Sequence, residues 1–223
     1  MGIQSNLTDF LSKLPKNVKL VAVSKTKPAQ IISEALETGH RVFGENKVQE
    51  LTDKQAHLPG AIEWHFIGHL QRNKVKYIAP FVALIHAVDS LKLLAEINKQ
   101  ALKNDRVIDC LLQFHIAKES TKFGLDYHEA IELLESDRYK SFKNIRITGV
   151  MGMATFTKNM VQVRDEFRTL KNYFDKLKKN YFANAAAFRE ISMGMSDDYQ
   201  VAIEEGSTII RVGTKIFGDR NHI

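Results

Sequence analysis

Leu20-Val21-Ala22-Val23-Ser24-Lys25-Thr26-Lys27-Pro28 is a β-rich run that ends on a lysine and a proline. Period-two alternation puts Val21, Val23 and Lys25 on one face of the strand. A helix-like pattern, 29–38, follows at once. The same pairing recurs along the chain. Strands are predicted at 19–24, 41–44, 62–67, 83–88, 107–114, 145–151, 190–193 and 208–212. Helical patterns at 29–38, 47–56, 74–78, 91–102, 127–134, 160–177 and 198–204 separate them, and a last piece follows Gly213. An extra helix over 6–14 precedes the first strand. Alternating β and α elements call for a parallel sheet covered by helices. Eight such units in one domain, 1–223, predict a (β/α)₈ barrel, with an open doubly wound sheet as the alternative.

Local signals support the pattern. Ser90 precedes Leu91, Leu94 and Ile97, and Val163, Phe167, Leu170, Phe174 and Leu177 keep the helical period. Gly39 and Gly206 fall where helix C-caps belong.

Composition narrows the function classes. The 223 residues include twelve glycines and four prolines, which leaves little room for linkers. The one cysteine, Cys110, sits in an apolar run, which reads as a buried core thiol and excludes an intrachain disulfide framework. The longest nearly apolar stretch, 77–88, holds Pro80 and His86 and is too short to span a bilayer. With no secretory leader pattern at the N-terminus, a cytoplasmic location is expected. The net charge of +6 could serve nucleic acid, an anionic membrane or a small anionic ligand; the Lys/Arg clusters read as solvated faces, and with no helix-turn-helix, zinc finger or basic zipper pattern nucleic acid is not expected.

In a barrel, functional residues gather at the C-terminal ends of strands and in the loops beyond. Lys25 stands at such an end, where lost hydration lowers a lysine's pKa and favours a Schiff base with a carbonyl compound. The bland alternative is a surface lysine that reaches back to water. Beyond strand seven lies Ser192-Met193-Gly194-Met195-Ser196-Asp197-Asp198, and beyond strand eight Arg211-Val212-Gly213-Thr214. Barrel phosphate sites are commonly built from these two loops. Ser192, Ser196 and Thr214 offer hydroxyls, and Gly194 and Gly213 permit close backbone approach; Ser196 to Asp198 also read as a helix cap. Strands one and eight are neighbours in a closed barrel, so the combination describes a site for a phosphorylated aldehyde. Asn46 could bond a ring substituent or cap the helix that follows. His65 and His69 flank a strand-to-loop junction with no glutamate after His65, so a zinc pair is not expected. The segment around Met151 reads as close packing beneath a ligand.

These blocks together resemble the pyridoxal phosphate homeostasis protein family, whose barrel is similar to that of fold-type III enzymes such as alanine racemase. The resemblance is carried by residues 23–28, 43–46, 64–68, 119–124, 192–198 and 211–218, in order. One departure is His115, where the family more often has Asn. The resemblance implies pyridoxal 5′-phosphate held as an internal aldimine on Lys25. It implies a phosphate held by Ser192, Gly213 and Thr214 with Gly194 and Ser196 nearby, and Arg211 facing the pyridine nitrogen. Asn46, His65 and Met151 become pocket residues.

The enzymes of the comparison carry a second, β-rich domain, whereas this sequence ends soon after strand eight. None of its six tyrosines can be assigned as an acid/base from sequence. The expectation is therefore a monomeric, non-catalytic carrier that buffers pyridoxal phosphate and passes it to dependent apoenzymes, with indirect effects on amino-acid and keto-acid balance. The enzymatic rival is an amino-acid racemase or decarboxylase using the same Lys25.

Overall fold

The structure, a computed structural model, describes residues 2–119 and 123–218. Eight parallel strands among them close into a barrel in sequence order: β1 (Lys19–Val23), β2 (Val42–Glu45), β3 (Glu63–Phe66), β4 (Leu84–Val88), β5 (Ile108–Phe114), β6 (Ile145–Gly152), β7 (Glu190–Ser192) and β8 (Ile209–Val212). β8 pairs with β1, setting Val21 opposite Arg211 and Ala22 opposite Val212. The open doubly wound sheet is thereby excluded. Every predicted strand is present, with ends displaced by a residue or two.

Helices cover the barrel. They are α1 (Ile3–Ser12), α2 (Ala29–Leu36), α3 (Val48–His57), α4 (Val75–Ile78), α5 (Leu91–Lys103), α6 (Tyr127–Glu135), α7 (Asp137–Lys140), α8 (Met160–Asn180), α9 (Tyr199–Glu204) and α10 (Thr214–Phe217). α7 is the element that the sequence pattern lacks. Ser136 closes α6 and caps α7 by accepting from the Tyr139 N–H, so the break is one serine wide. The Ser90 hydroxyl caps α5 as predicted, by accepting from Leu93 N–H. α9 starts one residue after the predicted cap. The Asp198 carboxylate accepts from Met195 N–H at 2.5 Å rather than from the helix's first turn.

Two apolar layers follow from strand alternation. Leu20 and Ala22 join the large outer core between barrel and helices, with Leu94, Ile97, Val163 and Phe167. Val21, Leu84, Leu111, Met151 and Ile209 form a small inner core. The inner core is small because much of the barrel interior is polar, with His65, His86, Ser192 and Arg211 all buried. None of the described helices is long and apolar enough to cross a membrane. Cys110 is buried, and burial pushes its thiol pKa up.

Gly149 marks a place where the strand ladder forces its residue. The β5–β6 register shifts just before it, and its φ is +159°. A Cβ there would lie 1.8 Å from the Glu190 carbonyl oxygen of β7. Gly149→Ala is expected to destabilise by about 1–3 kcal/mol, whereas Gly60→Ala, with nothing within 4 Å of the added carbon, stays near neutral. Urea denaturation of the two variants checks this.

Candidate functional site

Lys25 leaves the C-terminal end of β1 on a clamped loop. Ser24 N–H donates to the Gly44 carbonyl at 3.1 Å, and Ser24 Oγ donates to Glu45 Oε1 at 2.6 Å. Lys54 of α3 donates to the Ser24 carbonyl at 2.8 Å, to Glu45 Oε1 at 2.8 Å and to Glu50 Oε1 at 2.6 Å. Glu50 also accepts from Thr26 N–H at 2.5 Å. Thr26 has φ +65°, uncommon for a β-branched residue and held only by surrounding contacts. Lys27 ties the loop to the end of α10 through the Phe217 carbonyl at 3.0 Å. Lys25 itself is half-buried. The result is a lysine on a platform with little freedom, with the buried Glu45 and Lys54 beneath it. Burial pushes the Glu45 carboxyl above its usual range, and Lys54 opposes that shift.

The loops after β7 and β8 arrive beside this platform. A Cβ on Gly213 would lie 3.0 Å from the Val23 carbonyl, so glycine lets β8 press against the end of β1. Gly194 has φ +95°, and a Cβ there would meet Ala202 at 2.6 Å. Its carbonyl accepts from the Arg211 N–H at 3.0 Å. Ser196 is half-buried and Thr214 exposed at the same mouth. Thr214 and Lys215 open α10, where the first N–H groups have no partner within the helix.

Arg211 is the buried charge of the site. Its Nη1 donates to the Ser192 carbonyl at 2.9 Å and to Ser192 Oγ at 2.6 Å, and its Nη2 to the Gly152 carbonyl at 3.1 Å. Desolvation lowers its pKa to about 10, with Asp198 opposing, so it remains a cation at neutral pH. Ser192 is fully buried and its hydroxyl is already engaged by Arg211 and, at 2.9 Å, by His86 Nδ1. The Ser192 hydroxyl, expected at the phosphate, is thus hydrogen-bonded inside the barrel. His65 likewise lies inside the barrel, bonded to His86 at 3.0 Å and to Glu63 at 3.0 Å, with His86 between it and Ser192. Burial holds both histidines below the usual imidazole pKa, His86 well below.

Met151 is fully buried in the inner core, a floor beneath the mouth. Asn46 is half-buried and does not cap α3, whose N-cap is Lys47; its backbone instead packs against Gly68, where a Cβ would sit 2.3 Å from the Asn46 carbonyl. Residues 120–122, part of one family block, lie outside the described residues. A cavity of about 370 Å³ opens at the opposite, N-terminal mouth, lined by Lys19, Glu63, Asp109, Thr148 and Glu190 among others. Sequence reasoning passed over Glu45, Glu50, Lys54 and His86. Only the Glu50–Lys54 spacing of four on a helix carried a readable signal.

The chain matches the family described as alanine racemase, N-terminal domain, over residues 2–221. It is 42% identical over 205 residues to the pyridoxal phosphate homeostasis protein of Aquifex aeolicus, covering 92% of this chain and 88% of that one. To its Escherichia coli namesake it is 36% identical over 212 residues, with 93% and 88% covered. Among solved structures it is similar to PipY of Synechococcus elongatus with PLP bound, at TM-score 0.87 and 35% identity, covering 97% of this chain and 100% of that one. Alanine racemase of Clostridium difficile shares the fold at TM-score 0.73 and 16% identity, and 98% of this chain covers 56% of it.

Two outcomes follow from the buried charges. Lys54→Met strands the Glu45 carboxylate and is expected to cost about 3–5 kcal/mol by urea denaturation, with Glu45→Gln added in the same chain recovering part of the loss. For the histidines, folded pKa values below the unfolded value of about 6.5 mean that the unfolded chain binds more protons in that window. Their contribution is complete above about pH 6.5 and falls as pH drops toward the folded values. The thermal midpoint of the wild type should therefore fall more steeply on acidification below that pH than that of His86→Gln, as scanning calorimetry would measure.

Proposed function

The chain belongs to the pyridoxal phosphate homeostasis protein family, and from that premise we propose that it holds pyridoxal 5′-phosphate on Lys25 and hands it to dependent apoenzymes. The observation that carries this reading is the juxtaposition on β1 and β8. A half-buried lysine, a glycine-bounded loop with Thr214, and a buried arginine stand on adjacent strands.

The donor set fits the group. Pyridoxal phosphate supplies an aldehyde that condenses with an amine and a ring that accepts electron density. Lys25 offers the amine. Gly213, Thr214 and Ser196, with Gly194 shaping the turn, offer backbone N–H groups and hydroxyls to a phosphate. Arg211 offers a donor to a ring nitrogen, and a guanidinium has no acceptor with which to hold a proton there. That keeps the ring a weak electron sink, which suits holding rather than turnover. Asn46 and Met151 bound the mouth, and Ser192 and His65 act from within the barrel.

The carrier reading also draws on the tyrosines. Tyr77, Tyr127, Tyr139, Tyr173 and Tyr199 lie on the covering helices and Tyr181 just beyond α8; Tyr199 stands beside the loop after β7, its Cα 3.0 Å from where a Cβ on Gly194 would lie. Tyr199, the one on α9, packs on Phe10 and Lys215. The role is that of a cytoplasmic monomer that buffers a reactive aldehyde, with indirect effects on amino-acid and keto-acid balance.

Protein loaded with pyridoxal phosphate and reduced with borohydride should carry the pyridoxyl group on Lys25 by peptide mass. Lys25→Ala should lose it, and retention of the same adduct overturns the assignment. Loaded protein should also activate an acceptor apoenzyme. Rapid Cα deuterium exchange of amino acids at enzyme-like turnover would instead establish the racemase or decarboxylase.

A further inference from the structure

Five side chains form one hydrogen-bonded file through the barrel. Arg211 Nη1 lies 2.6 Å from Ser192 Oγ, which lies 2.9 Å from His86 Nδ1. His86 Nε2 lies 3.0 Å from His65 Nδ1, and His65 Nε2 lies 3.0 Å from Glu63 Oε1. The file crosses β8, β7, β4 and β3. Its first four members are buried, and Glu63, with 42% of its side chain exposed, opens into the cavity at the N-terminal mouth.

With both rings neutral, the direction of the file is forced from its carboxylate end. A guanidinium only donates, and an ionised carboxylate only accepts. Starting at Glu63, His65 donates from Nε2, and a neutral His65 then accepts at Nδ1 from His86 Nε2. A neutral His86 accepts at Nδ1 from the Ser192 hydroxyl, whose oxygen accepts from Arg211. Every link holds one proton, and each bond polarises the next.

We propose that Glu63, His65 and His86 are positioning residues for the ring-nitrogen contact of Arg211, coupling that guanidinium to a carboxylate at the far mouth of the barrel. The inference rests on the reading that Arg211 faces the pyridine ring. The file aims the Ser192 hydrogen at His86 and leaves the oxygen's lone pairs toward Arg211, which holds the guanidinium fork. Both rings must be neutral for this. Burial favours that state, as do the cations Lys19 and Arg211 nearby, while Glu63 and Glu190 oppose it at His65. An added proton would reverse the file. His65 would then donate from Nδ1, His86 would carry its proton on Nδ1, and Ser192 would face donors on both sides.

The test has an arm without cofactor and an arm with it. In the cofactor-free protein near neutral pH, long-range ¹H–¹⁵N spectra of the histidines should find His65 and His86 both neutral and protonated on Nε2. A proton on Nδ1 of either ring overturns the file. In protein loaded with pyridoxal phosphate, Glu63→Gln should shift the visible band of the bound cofactor and shorten its residence time about twofold or more, the range of coupled neighbours. Glu63→Asp should restore both toward wild type. A Glu63→Gln protein with wild-type band and residence time, and an unchanged thermal midpoint, overturns the coupling. If the wild type takes up no pyridoxal phosphate, the functional reading falls and the ring contact with it, while the cofactor-free spectra still decide whether the file exists.

Discussion

The pairing of β8 with β1 is the constraint on which the site depends. It closes the barrel, and it sets Val21 opposite Arg211 and Ala22 opposite Val212. Two segments separated by almost the whole sequence thereby share one mouth. Gly213 lets the backbones approach until a methyl group would crowd the Val23 carbonyl. Without that closure Lys25 would be a lysine at a strand end, and the loops after β7 and β8 would be glycine-bounded turns with nothing to act on.

The barrel interior is polar enough to be organised by hydrogen bonds rather than by packing alone. Buried polar groups are tolerable only where they are paired. Arg211, Ser192, His86 and His65 meet that condition in sequence, and Lys54 and Glu45 Oε1 meet it beside Lys25. Glu45 Oε2 and the Thr148 hydroxyl are the buried side-chain atoms among the described residues left without a partner. The two networks have different tasks. One anchors the loop that carries the lysine, and the other orients the arginine from below. Both place charge in a low-dielectric setting, where losing one partner costs more than the pair contributes.

The family relationship extends over nearly the whole barrel. Relatives above a third identity share nearly the full length of this chain. Racemases share only the barrel, at identities that speak to fold alone.

Much of this was legible in the sequence. Alternation with period two, caps such as Ser90, and glycines at turns determined eight strands and most helices, because those signals are local and each residue answers to its own neighbours. That Lys25, Gly213 and Thr214 would gather at one mouth was legible because strand ends and the loops beyond them meet there in a barrel. The hydrogen-bond partners of Ser192 and His65 were not, nor was the burial of His86, Glu45 and Lys54. Each of these depends on a partner from another strand or helix, such as Ser192 and His86, 106 residues apart. A sequence shows which side chain a residue carries and, by period, which way it faces. Which polar groups meet inside the barrel, and in which direction their protons run, was decided only when closure removed the water that would otherwise have satisfied each of them alone.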